Sequence, residues 1–166
     1  MKRLFVDTGA FIAREIGGDQ HHESASRAWR EIEKGNYQLF SSEHVFDESA
    51  TLIARRTTYA WAADWGNDVM EIGIDWLRAD AAEWKQALLL MKKFADQGVS
   101  FTDCLSAVLM KRAGINGGGP HARVRIRPPL RVLGIPRLAG VLTEILLPSA
   151  AGACKLPRTK AAWRNW

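Results

Sequence analysis

The sequence predicts an α/β domain, three layers of helix, sheet and helix around a mostly parallel central sheet, on three observations. Short apolar runs and amphipathic segments follow one another as strand, helices, strand, helices, strand, helices, the order expected when parallel strands are joined by helical crossovers. Acids stand where strands give way to helices. The length of 166 residues and a hydrophobic fraction of 47% suit one compact domain with a core of its own.

The elements follow in order. Leu4-Phe5-Val6 is a short apolar run that stops at Asp7-Thr8-Gly9, the pattern of a buried strand entering a helix. Residues 22–34 place Ala25, Ala28, Trp29 and Ile32 at helical spacing, and Gly35-Asn36 supplies the stop. Residues 37–40 read as a second strand. Ser41-Ser42-Glu43 caps a helix over 45–56, with Val45, Ser49, Leu52 and Ile53 on one face and Glu48 beside it. In the helix that follows, Trp61, Trp65, Val69 and Ile72 are spaced to line one side. Burial within the monomer is the expectation for Trp61 and Trp65, with a dimer interface as the alternative. Residues 72–77 alternate as a third strand. The helix over 81–95 carries Trp84, Leu88, Met91 and Phe94/Ala95 on one stripe, and Ser100-Phe101-Thr102-Asp103 caps a last helix through Leu105, Val108, Leu109 and Arg112, closed by Gly114.

Beyond Asn116 this grammar degenerates. Gly117-Gly118-Gly119-Pro120 breaks the chain, and an Arg-X-Arg-X-Arg run at 123–127 meets Pro128-Pro129. Charge divides at the same place. Residues 1–115 hold 14 basic and 17 acidic side chains, net −3, whereas 116–166 hold 9 and 1, net +8. The overall +5 is an average of unlike halves and is not by itself a sign of nucleic-acid binding. Cys104 and Cys154 make neither a disulfide framework nor a zinc set. No apolar run approaches the roughly 18 residues that span a bilayer. A soluble, cytoplasmic protein with no membrane association is expected.

In open α/β sheets ligands bind outside the carboxyl ends of the strands. Asp7 ends the first strand, Glu48 lies in the helix after the second, and Asp103 opens the last helix, with Asp96 a possible fourth acid. Such a cluster repels itself unless protons or a divalent cation neutralise it, and Mg2+ suits carboxylate oxygens with room left for water and phosphate. Each acid also has a plainer role. Asp7 serves as a helix cap, Asp103 as a first-turn acid favoured by the helix dipole, and Glu48 as a solvated helix residue; Asp96 and Asp75 are expected at the surface.

Phe5-Val6-Asp7-Thr8-Gly9-Ala10-Phe11, then Phe46-Asp47-Glu48-Ser49-Ala50-Thr51-Leu52, then Phe94-Ala95-Asp96 with Ser100-Phe101-Thr102-Asp103-Cys104 resemble the successive acidic motifs of PIN-domain ribonucleases, in particular the VapC-type toxins. The resemblance runs over about 1–115. It implies a parallel sheet flanked by helices and a magnesium-dependent endoribonuclease, with manganese as a possible substitute. It makes Asp7, Glu48 and Asp103 the catalytic acids and places Asp7, Asp103, Glu48 and Asp96 around the metal. RNA as substrate, a cognate antitoxin and a homodimer follow as expected partners. An inactive remnant that only binds antitoxin or RNA is the competing function, because the last acidic strand of the family is missing after Ile115.

The nuclease domain is expected over 1–133, with the pattern clear over 1–115, and 134–166 as a basic tail, disordered or frame-shifted. Moving the codons of Asn116 to His121 forward by one nucleotide permits Thr-Glu-Ala-Val-Leu-Thr, closer to the missing strand. The competing reading is a genuine basic tail whose Arg123, Arg125, Arg127 and Arg131 hold RNA phosphates. Two lesser signals are set aside. Asp7-Thr8-Gly9-Ala10 also resembles the turn of retroviral-type aspartic proteases, against which the helices argue. His21-His22-Glu23 lacks a second metal-spaced histidine and reads as a solvated helix start.

Overall fold

A computed structural model describes residues 1–115; the glycine-rich break, the basic run and the expected limit at 133 lie outside them. Three strands, β1 (Lys2–Phe5), β2 (Tyr37–Ser42) and β3 (Ile74–Leu77), form one sheet in the order β1-β2-β3. Both pairings are parallel, with Phe5 opposite Phe40 and Ser42 opposite Leu77. The carboxyl ends of all three strands therefore share one edge. Leu39, Phe40, Ser41 and Ser42 are all buried. Because neighbouring strand residues point to opposite faces, β2 is covered on both sides, as a three-layer fold requires.

The connections are helical: α1 (Thr8–Glu15) and α2 (His22–Lys34) after β1, α3 (Glu43–Arg56) and α4 (Tyr59–Glu71) after β2, and α5 (Ala81–Lys93) and α6 (Phe101–Arg112) after β3. The starts are chemically marked. Ser42 and Thr58 cap α3 and α4 through their hydroxyls, and α5 and α6 carry reciprocal capping boxes, Asp80 with Glu83 and Ser100 with Asp103. Gly73, at φ 73°, and Gly114, at φ 65°, take the left-handed turns after α4 and α6, a conformation glycine enters without steric cost.

Two apolar clusters hold the layers. The larger joins Val6, Leu39 and Ile74 of the strand segments to Phe11, Trp29, Val45, Ile53, Trp65 and Val69 of α1 to α4. Its aromatic centre packs Phe11 edge-on to Trp65, ring centroids 5.5 Å apart, with Phe46 stacked on the same indole at 5.6 Å. The smaller cluster joins Ala87 and Phe94 to Cys104, Leu105 and Leu109, between α5 and α6.

Several boundaries and faces differ from expectation. β2 runs two residues further than 37–40, and α3 begins at Glu43 because Ser42 both ends the strand and caps the helix. β3 starts at Ile74, since the turn at Gly73 precedes it. On α4 the inward face is Ala62, Trp65, Gly66 and Val69; Trp61 and Ile72 are exposed, so burial of Trp61 within the monomer is not observed. On α5 the expected stripe faces outward except at its end, where Phe94 is buried against α6. Trp84, Leu88 and Met91 are 47%, 55% and 41% exposed, while Glu83 and Ala87 are buried. His22 is half-buried rather than solvated, its Nδ1 2.9 Å from the Ala13 carbonyl oxygen. Among the described residues no helix is long and apolar enough to cross a membrane.

Candidate active site

Asp7 follows β1 in extended backbone and caps α1, its Oδ1 accepting from the Thr8 amide at 2.8 Å. The strand edge beneath it is tied by the Val6 amide donating to Phe40 O at 2.7 Å and by the Ser41 hydroxyl donating to Val6 O at 2.8 Å. Asp7 is buried, 7% exposed. Thr8 then reaches across: its hydroxyl donates to Glu48 Oε2 at 2.5 Å, fastening the middle of α3 to the start of α1. Asp103 is the third residue of α6, where its Oδ2 accepts from the Ser100 amide at 3.0 Å while Ser100 Oγ accepts from the Asp103 amide at 3.1 Å.

Two of these acids act on the third. Burial pushes the Asp7 carboxyl up to about 7, the Thr8 amide opposes that rise, and the nearby Asp103 and Glu48 charges add to it. The fold thus brings Asp7, Glu48 and Asp103, far apart in sequence, to the carboxyl edge of the sheet. Asp96 is not among the groups acting on Asp7; it is exposed on a 3₁₀ turn, Ala95–Gln97. Asp75 pairs with Gln38 at 2.8 Å on the sheet surface.

Among the described residues no three His, Cys, Asp or Glu side chains are close enough to make a ready metal cage. The donor chemistry nonetheless fits a hard cation. All three groups are carboxylates, each spends a hydrogen bond on a local donor, and Mg2+ is held through one or two carboxylates with water completing its shell. Burial of Asp7 beside two other acids is a cost that a divalent cation would offset.

The plain roles are observed. Asp7 caps α1, and Asp103, expected as a first-turn acid, also completes the capping box of α6. Thr8, which anchors Glu48, was not singled out by the sequence; its position directly after Asp7 was the available signal. His44 was also missed. It lies one helical turn before Glu48 on α3, and its ring meets Trp84 and Phe101 at centroid distances of 5.7 and 6.1 Å.

A parallel sheet with paired helices after each strand and acids at its carboxyl edge defines an open α/β domain of the kind that places its ligand site at that edge. The PIN-domain family model matches residues 4–116, and the chain belongs to that family, whose nucleases generally use divalent metal ions. The fold is similar to that of VapC20 of Mycobacterium tuberculosis, a toxin that cleaves the sarcin-ricin loop. The TM-score is 0.62 and the identity 26%, over 68% of this chain and 85% of that one. No curated protein matches the chain by sequence.

Proposed function

We propose that the chain is a magnesium-dependent endoribonuclease, able to use manganese, and the toxin of a type II toxin–antitoxin pair that acts as a homodimer in the cytoplasm. The observation that carries this reading is the meeting of Asp7, Glu48 and Asp103 at the carboxyl edge, where Asp7 is buried and its carboxyl driven up to about 7. The similarity to VapC20 supports the RNA substrate and the antitoxin partner.

Asp7 and Asp103 are the proposed metal ligands. Each is fixed by a backbone amide on one oxygen, which leaves the other to turn toward the cleft. Glu48, held by Thr8, completes the acidic shell or orients a water, and Asp96 is retained only as an outlying acid. A divalent cation bound there supplies charge for the phosphate oxygens and lowers the pKa of an attacking water. No side chain need form a covalent bond to RNA. Thr8 keeps Glu48 from swinging into solvent, and the caps on α1 and α6 keep the two aspartates in place as charge changes.

Purified protein should cleave single-stranded RNA, with a sarcin-ricin-loop hairpin as one substrate, only when Mg2+ or Mn2+ is present. Chelation should abolish cleavage and added metal restore it. Asp7→Asn and Asp103→Asn should each lower the rate by at least about 100-fold, the scale of losing a metal ligand or its partner. Equal activity in all three proteins would sink the assignment. The competing reading, an inactive remnant that binds antitoxin or RNA, draws on the lack of a ready metal cage among the described residues; antitoxin binding without cleavage would establish it.

A further inference from the structure

We propose that Trp84, backed by His44 and Phe101, is a stacking step on which a base of the RNA rests beside the acidic edge. The identity of its ligand rests on the ribonuclease reading, whereas its geometry rests on separate residues. Three aromatic rings from three elements meet here. His44 belongs to the first turn of α3, Phe101 opens α6 and Trp84 lies in the first turn of α5. The imidazole stands edge-on between the other two, nearly perpendicular to the Trp84 ring at 87° and tilted 62° from Phe101.

The cluster adjoins the acids by covalent spacing. His44 precedes Glu48 by four residues on one helix, so the two side chains rise on the same face. Phe101 shares the first turn of α6 with Asp103, though at a spacing of two their side chains leave on different faces, so the link to the acids runs through His44. A nucleotide whose phosphate sits at the acidic edge therefore has an aromatic surface within reach of its base.

Trp84 is 47% exposed, although indoles are ordinarily buried or held in interfaces. His44 is not there for a structural hydrogen bond. Its Nδ1 is buried with no partner among the described residues, so the ring serves through its faces and edges, as a prop that fixes the indole. A rigid aromatic with one open face is the usual means of holding a single-stranded base without reading its sequence. The same principle explains how an RNA reaches an edge made of negative charge: the described residues are net acidic, and stacking is indifferent to charge.

The test uses the full chain and a short single-stranded oligonucleotide carrying 2′-O-methyl groups, which block cleavage. Binding is measured for wild type, Trp84→Ala, Trp84→Phe and His44→Ala, with thermal unfolding as the check on folding. Trp84→Ala should weaken binding by about 10-fold, within the range that stacking on an aromatic side chain implies, and Trp84→Phe should recover most of the loss. An oligomer with abasic sugars should bind wild type and Trp84→Ala alike, since charge alone then remains. His44→Ala should fall between the two. Cleavage of unmodified RNA should show the Trp84→Ala defect at low RNA and much less of it at saturation.

Unchanged oligonucleotide affinity in Trp84→Ala overturns the step, and a change in oligomeric mass in that variant would assign the indole to a protein interface instead. Wild type that binds no oligonucleotide overturns it as well. Binding with the expected Trp84 dependence but no cleavage by wild type would reject the nuclease reading and leave the step standing.

Discussion

Asp7 is where local structure and chemistry conflict most directly. It lies buried and shares its surroundings with two other acids, which together push its carboxyl up from 3.8 to about 7 against the opposing pull of the Thr8 amide it caps. The sign of the consequence follows from linkage. Because the native state holds this proton more tightly than the unfolded chain, its contribution to stability is fully present below 3.8 and is lost as pH rises through about 7. In metal-free protein, stability should fall between about pH 4 and about pH 7 and level off above. Asp7→Asn should remove that slope and, at about pH 8, raise stability by a few kcal/mol, because each tenfold difference in proton affinity between the folded and unfolded states is worth about 1.4 kcal/mol. Melting curves at about pH 4.5 and about pH 8 decide the matter: a substitution that destabilises at both would contradict the assigned cause. Magnesium should stabilise wild type and do little for the variant. Of the candidate site residues, Asp7, Glu48 and Asp103 were nameable from sequence because each sits in a motif with local character. Thr8 and His44 were not, since their roles depend on partners 40 residues away or on other helices.

At the scale of elements, α5 shows how periodicity misleads. Trp84, Leu88 and Met91 make the most apolar stripe, the face that periodicity alone would turn toward the core. The fold buries Glu83 and Ala87 instead. Glu83 can go inward because one carboxylate oxygen is held twice: Oε2 accepts from the Asp80 amide at 3.0 Å and from Arg112 Nη1 at 2.7 Å, while Arg112 also donates to Arg78 O at 2.8 Å. Ala87, with no bulk, then lets α5 approach α6 closely. The pairing of residues 83 and 112 cannot be read from either helix alone. Glu83→Ala should cost about 2 kcal/mol by losing the capping box and leaving the guanidinium without its carboxylate. Denaturant unfolding of Glu83→Ala beside Arg112→Ala and the double variant should show strong coupling; additive losses would mean that the two residues act independently. Caps were the most legible feature of all, because Asp7, Ser42 and Ser100 announce helix starts in sequence whatever the helix later packs against.

Across the whole molecule, the alternation of strands and helices was legible, whereas the sheet order and the assignment of helices to two clusters were not. Alternation is written in local periodicity; order depends on which crossover packs where. The larger cluster should dominate stability. Trp65, 5% exposed and touching both Phe11 and Phe46, should cost about 3–5 kcal/mol when replaced by alanine. The midpoint of urea unfolding measures it, and a loss under about 1 kcal/mol would show that the cluster collapses around the gap. The acidic balance of 1–115 bears on the proposed function at this scale too: these residues are net −3, so under the proposed reading a cation and stacking would have to offset their repulsion of RNA phosphates. Burial of Asp7 among its neighbours has a further consequence for inheritance. One base change converts an aspartate codon to asparagine, and at this position, under the proposed function, that change should silence cleavage while making the metal-free protein sturdier. Folding alone would favour the asparagine form, so retention of aspartate at this position across a lineage would itself speak for selection on activity.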